Sequence, residues 1–179
     1  MALIIEDGSI VPGANSFATA AELVTYADDY GLSIPATTAD QERLLRRAAL
    51  QMQALSWKGE IVSASQSLSW PRMNVYIGVG SGLIWNRPST IVNDYIVPAN
   101  AIPTGVKQGQ MALAAEIYED DQTPAEDARG PIMSETVGPL STTYGKAQSW
   151  QLRPAATKQS YANFGPYLQA ANQVRLARG

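Results

Sequence analysis

The sequence contains no histidine and no cysteine among its 179 residues. The missing residues exclude Ser-His-Asp and Cys-His catalysis, disulfide bonds and thiolate zinc sites. Any acid–base chemistry would have to use carboxylates, lysine or tyrosine. We therefore predict that the protein is not an enzyme, with no catalytic residues, and that it uses no metal ion and no cofactor.

Long apolar runs are absent as well. No stretch approaches the roughly 20 apolar residues of a membrane span, so we expect no membrane partner. Residues 1–7 are too short and too acidic for a signal peptide, and nothing indicates secretion. Charged residues make up only 16% of the chain, which is low for a soluble protein. Because surfaces poor in charge often meet other chains, we expect an assembly.

The charges that are present are unevenly distributed. The net charge is −3, and residues 1–135 hold all 16 acidic residues. The part after residue 135 holds no acid and five bases: Lys146, Arg153, Lys158, Arg175 and Arg178. Such asymmetry favours a basic arm that meets nucleic acid or an acidic protein surface. The alternative is a solvated tail that only aids solubility.

Three amphipathic stretches predict helices. Thr19 opens a capping box before the first, and Gly31 ends it. The second runs from about residue 39 to 55 after Thr38 as N-cap. The third covers about residues 103–118. The fold class is therefore mainly α: a small helical bundle with a β-hairpin and extended N- and C-terminal arms.

The remaining segments predict the domain organisation. Period-two alternation predicts the β-hairpin at 132–144. A glycine-rich stretch at 73–101 is a long insert, which is uncommon in a compact domain unless it functions. We predict a helical core at 1–145, with the N-terminal arm at 1–18, and a separate basic C-terminal tail at 146–179.

The corner Trp70-Pro71-Arg72 joins the second helix to the insert. Pro71 restricts the backbone of Trp70, and Arg72 adds a planar fork of donors. The favoured interpretation is a structural corner that fixes a loop on the core, with Trp70 on the second and third helices. The alternative is a subunit contact, because Trp and Arg are frequent interface hot spots.

Aromatic residues alternate with bases in the tail. This combination suits single-stranded nucleic acid, whose bases stack on aromatic rings. The favoured interpretation is that these rings dock on the protein's own core or on a neighbouring subunit. The rings are Trp150, Tyr161, Phe164 and Tyr167.

Several short motifs together carry a family resemblance over roughly residues 1–145. They are Glu6-Asp7-Gly8 with Val11–Ser16, the stretch Leu68–Arg72, Val97-Pro98 before Ile102-Pro103, and the turn Val137–Leu140. In this order they resemble a tailed-bacteriophage family often labelled DnaT-like single-stranded DNA-binding protein. Its setting and shape are similar to those of head–tail connector proteins, the adaptors of phage necks.

The resemblance implies a structural virion protein. It would form a dodecameric ring below the portal, extend the channel, join head to tail, and serve genome ejection. Its partners would be itself, the portal protein, a further neck or tail protein, and double-stranded DNA passing without sequence-specific binding. We expect it in the virion neck, after assembly in the bacterial cytoplasm.

By analogy with similar adaptors, the tail would dock on the portal. The candidate residues are Trp150, Arg153, Lys158, Tyr161, Phe164, Tyr167, Arg175 and Arg178. The alternative function is that of a single-stranded DNA-binding phage replication protein.

Overall fold

The computed structural model describes residues 2–78, 94–122, 134–137, 140–143 and 159–169. The helices in these ranges are α1 (Ala20–Tyr30), α2 (Thr38–Met52), α3 (Thr104–Gln122) and α4 (Gln159–Phe164), the last followed by a 3₁₀ turn at Gly165–Tyr167. Short strands pair antiparallel in twos: β1 (Glu60–Ile61) with β2 (Arg72–Met73), β3 (Tyr76–Gly78) with β4 (Asp94–Ile96), and β5 (Ser134–Val137) with β6 (Leu140–Thr143). The predicted mainly α fold is confirmed, and none of the described helices is long and apolar enough to cross a membrane.

Helix α3 is the centre of the bundle. It contacts α1, α2 and α4, and its side chains are buried almost all round between Val106 and Ile117. Such a helix belongs in a core rather than at a surface. Its polar member Gln110 is fully buried, and it accepts from the Phe17 N–H (2.9 Å) and donates to Leu45 O (2.9 Å). Gln110 therefore ties α3 to α2 and to the segment before α1.

The predicted ends of α1 are confirmed. The Thr19 hydroxyl accepts from the Glu22 N–H at 3.2 Å, and the Glu22 carboxylate accepts from the Thr19 N–H at 2.8 Å. Gly31 ends the helix in the left-handed conformation, with φ at 63°. A side chain with a Cβ rarely adopts this conformation, which is why glycine is favoured there.

The predicted ends of α2 and α3 need correction. The N-cap of α2 is Thr37 rather than Thr38, since the Thr37 hydroxyl accepts from the Asp40 N–H at 3.3 Å. The helix ends at Met52, because the next amide, on Gln53, bonds to the carbonyl of Leu50 in a tighter turn. Helix α3 continues four residues beyond the predicted Tyr118, through an acidic stretch whose Asp121 is paired with Arg47 of α2.

The corrected cap can be tested with neighbouring threonines. Thr37→Ala should lower the free energy of unfolding by about 1 kcal/mol, the usual cost of losing an N-cap hydroxyl. Thr38→Ala, one residue into the helix, is the matched control and should have a smaller effect. Urea unfolding followed by circular dichroism measures both. A larger loss from Thr38→Ala would show that the cap assignment is wrong.

The N-terminal segment folds back on the body. Ile5 forms a parallel bridge with Ser16, which closes the residues between them into a loop. The buried Glu6 carboxylate accepts from the N–H groups of Gly8, Ile10 and Val11 at 2.9–3.0 Å. These three hydrogen bonds close a compact loop and give the buried carboxylate its partners.

The predicted β-hairpin is confirmed by β5 and β6, in which Val137 pairs with Leu140. The insert at 73–101 begins and ends as paired strands, with Tyr76 opposite Ile96. Its residues 79–93 lie outside the described ranges.

Candidate interaction site around the tryptophan corner

Trp70 is completely buried in an aromatic cluster. Its ring meets Trp57 edge-on, with centroids 5.8 Å apart, and Tyr167 edge-on at 5.7 Å. Edge-to-face pairs of this kind add to the stability that burial gives. The Trp70-Pro71 peptide is cis. Trp70 belongs to the same core cluster as buried residues of α2 and α3, and the aromatic rings in contact with it come from the residues after α2 and from the C-terminal segment.

Arg72 closes the loop that precedes the corner. Its guanidinium donates to the carbonyls of Lys58 and Gly59, both at 2.8 Å, and of Ser69 at 3.2 Å. Burial lowers the pKa of Arg72, and the nearby charge of Glu60 acts in the opposite direction. Because its donors face backbone carbonyls, Arg72 fixes the corner.

The C-terminal segment Gln159–Gln169 packs on α3 through two glycines. A Cβ on Gly109 would lie 2.1 Å from the ring of Phe164, and one on Gly105 would lie 2.8 Å from Tyr167. Real Cβ contacts are not this short, so both positions require glycine for the segment to approach. The two glycines, one helical turn apart, form a seat for Phe164 and Tyr167.

Hydrogen bonds hold both ends of this segment. At its start, the buried Glu116 carboxylate of α3 accepts from the Ser160 N–H (2.9 Å) and hydroxyl (2.8 Å). At its end, the Lys58 N–H donates to Tyr167 O at 2.8 Å, and the Gln169 N–H donates to Ser56 O at 2.9 Å. The predicted separation of a tail at 146–179 therefore needs correction for residues 159–169, which are part of the core.

The glycine seat gives a second prediction. Gly109→Ala should lower the free energy of unfolding by up to about 2 kcal/mol, because overpacking costs about 1–3 kcal/mol and the gain in helix propensity offsets roughly 1 kcal/mol of it. The control is the same change in a Phe164→Leu background, where the ring has been removed. There the substitution should be neutral or should raise the free energy of unfolding by up to about 1 kcal/mol in urea unfolding. Equal losses in both backgrounds would mean that Gly109 is needed for another reason.

All six bases with described side chains have partners within the protein. In α2, Arg43 pairs with Asp40, Arg46 with Glu42, and Arg47 with Asp121. Lys107 pairs with Glu22 at 2.7 Å, Lys58 donates to Pro166 O at 2.8 Å, and Arg72 donates as described above. The same part of the chain has 12 acidic side chains, so its net charge is 6 − 12 = −6. A polyanion would be repelled by this body.

The ion pairs between helices predict a loss of stability in acid. Burial raises the pKa of Glu22, but the hydrogen bonds from Lys107 and Thr19 together outweigh it, so the pKa lies below its ordinary value of 4.5. The bond from Arg47 likewise lowers the pKa of Asp121 below 3.8. Both carboxylates stabilise the fold above these values, and this contribution is lost as the pH falls through the lowered pKa values. Thermal unfolding between pH 6 and pH 2 should therefore show a decline that Glu22→Gln makes shallower, whereas an unchanged slope would contradict the assignment.

Two grooves flank this region. One, of about 420 Å³, lies between the end of α1 and α3, and its lining includes Ser33, Glu116 and Tyr118. The other, of about 470 Å³, lies below the corner, and its lining includes Leu55, Ile61 and Ser69. Within the described ranges, no group of three or more acidic side chains could hold a metal ion.

The structure places the predicted portal-docking residues in three environments. Phe164 is completely buried, Tyr167 is partly buried on Trp70, and Tyr161 is 48% exposed. The favoured docking of tail aromatics on the protein's own core is thus observed for Phe164 and Tyr167. The others lie outside the described residues: Trp150, Arg153, Lys158, Arg175 and Arg178.

The sequence patterns above do not single out Glu116, which holds Ser160. The available signal was an acidic residue between Ala115 and Ile117 in an otherwise apolar stretch of α3.

A comparison with protein-family models matches the whole chain, residues 1–179, to the family described as "Putative DnaT-like ssDNA binding protein". Comparisons with curated proteins and with solved structures found no match.

Proposed function

The chain belongs to the family described as "Putative DnaT-like ssDNA binding protein", and we propose that it binds single-stranded DNA through its basic segment 146–179. The observation that carries this proposal is which lysine and arginine side chains already have partners within the protein. All six described bases have partners within the protein. The chain has 13 bases in all, so seven are outside this set. Five of those seven lie in segment 146–179, which contains no acidic residue.

The chemistry of the segment suits a flexible polyanion with exposed bases. Lys and Arg neutralise phosphates, and aromatic rings stack on nucleobases without sequence preference. Tyr161 is half exposed on α4, while its neighbour Phe164 is used in the core. The acidic body repels the strand, so binding would be confined to the basic segment.

Salt dependence tests the proposal. Five phosphate contacts on a single strand predict a slope of about −3.5 in log K against log salt, or about a 100-fold loss of affinity for a fourfold rise in salt. The probe is a fluorescently labelled oligothymidine, titrated with the full chain at several salt concentrations. A slope near zero, or no binding at low salt, would contradict the proposal.

A pair of triple variants locates the contact. Changing Lys146, Arg153 and Lys158 to Gln should make the slope shallower by about 2. Changing Arg43, Arg46 and Arg47 of α2 to Gln removes the same charge and is the matched control. Its slope should equal that of the native chain. The opposite ranking would place the DNA on the helical body.

A second candidate function is that of a neck adaptor, the role that the family resemblance implied. The observation that favours it is the acidic body, because a channel wall of this charge lets double-stranded DNA pass without sticking. Tyr76 and Ile96, directly opposite each other in β3 and β4, are about half exposed and offer an apolar contact for a neighbouring subunit.

Negative-stain imaging distinguishes the two candidates. An adaptor predicts rings of the purified chain that dock on purified portal protein. Monomers that leave the portal bare would exclude the adaptor, and they agree with the DNA-binding proposal if the salt slope is as expected.

A further inference from the structure

We infer that the groove below the tryptophan corner is the docking site for the chain's own last ten residues, 170–179. The inference concerns a contact within the protein and stands whether or not the basic segment binds DNA. The groove holds about 470 Å³, which is within the usual size range of binding clefts.

The last residue that the structure describes, Gln169, lies in the wall of this groove. Gln169 is itself one of the lining residues, together with Gln53, Leu55 and Ser56. Its side chain donates to Trp57 O at 3.0 Å, which fixes its position. The ten residues that follow Gln169 therefore start in the groove, and they could span about 33 Å if extended.

The direction of the chain points along the groove. Leu168 forms an antiparallel bridge with Trp57, and hydrogen bonds on either side join Tyr167 to Lys58 and Gln169 to Ser56. The pairing itself stops at Ser56, because the amides of Ala54 and Leu55 bond to the carbonyls of Gln51 and Met52 in a turn. Beyond this point the chain would run past Leu55 and Gln53, which line the groove.

The lining matches the composition of the segment. The groove presents apolar side chains from Leu55, Ile61 and Leu68 beside amides and hydroxyls. Its Ser69 hydroxyl is buried and has no hydrogen-bond partner among the described residues. A buried hydroxyl of this kind costs free energy until it is paired.

Residues 170–179 supply both kinds of group. Asn172 and Gln173 can pair with the amides and hydroxyls, and Val174 and Leu176 are apolar. The groove suits nucleic acid less well, because its one base, Arg72, already donates to three carbonyls. An extended peptide is therefore the occupant that the chemistry favours, and the nearest is the segment that starts there.

Engineered cysteines test this directly, because the chain has none of its own. The full chain with Gln53→Cys and Asn172→Cys is treated with oxidised glutathione, and the products are identified by mass spectrometry. Disulfides form only when the two Cα atoms come within about 7 Å. The matched control pairs Asn172→Cys with Ser33→Cys, an exposed residue of the other groove.

The inference predicts an intramolecular disulfide in the first pair that forms at least about tenfold faster than in the control. Equal rates, or no disulfide in either pair, would overturn it. A disulfide between two chains would also overturn it and would assign the groove to a second copy. In the unaltered chain, hydrogen exchange should be slowed at some amides among residues 170–174, and full exposure of all of them would count equally against docking.

Discussion

Trp70→Ala is expected to lower the free energy of unfolding by about 3–5 kcal/mol, the usual cost of emptying a buried aromatic site. The ring is completely buried and makes edge contacts with Trp57 and Tyr167. Its removal would leave a cavity between the residues after α2 and the C-terminal segment. Urea unfolding followed by circular dichroism measures the loss.

Trp70→Phe is the control for this prediction. The indole N–H has no partner among the described residues, so losing it breaks no hydrogen bond described there. The Phe variant should therefore lose less than half as much stability as the Ala variant. A loss below about 1 kcal/mol for Trp70→Ala, with failed assembly, would instead support the alternative of a subunit contact.

Phe164→Ala is expected to have an effect of similar size, about 3–5 kcal/mol. Phe164 is completely buried, packs edge-on against Trp57 at 5.3 Å, and fills the seat at Gly109. Its loss should release α4 from α3, so the amide of Ser160, now bonded to Glu116, should exchange faster with solvent.

Tyr161→Ala, three residues away on the same short helix, is the matched control. Because Tyr161 is 48% exposed, its removal should change stability by less than about 0.5 kcal/mol. Under the DNA-binding proposal it should weaken oligothymidine binding by about 1–3 kcal/mol, the usual value of one stacked base. A stability loss as large as that of Phe164→Ala would show that both rings serve the core.

The local chemistry of the helices was readable from the sequence. The capping box at Thr19 and the glycine at residue 31 each depend on contacts within a single helical turn. A short-range sequence pattern is therefore sufficient to predict both ends of α1. The cap of α2 was misplaced by one residue because Thr37 and Thr38 are equally good caps. The hydrogen bond from the Asp40 N–H to the Thr37 hydroxyl decides between them, and the sequence does not show this bond.

The core around the corner could not be read in this way. Trp70, Phe164 and the seat at Gly109 are far apart along the chain, and no local signal pairs them. The tail was predicted from its charge, but charge does not reveal that Phe164 and Tyr167 face inward. Gln110 is one polar residue in the apolar stretch of α3. Its three hydrogen bonds are made to two segments that are distant in sequence, so no local pattern shows them.

Ultraviolet cross-linking of the full chain to oligothymidine, followed by mass spectrometry of the modified peptides, tests the central proposal most directly. We expect adducts within residues 146–179, at Trp150 or Tyr161, and we expect these adducts to disappear at high salt. Adducts confined to α1, α2 or α3 would contradict it, as would the absence of any adduct at low salt.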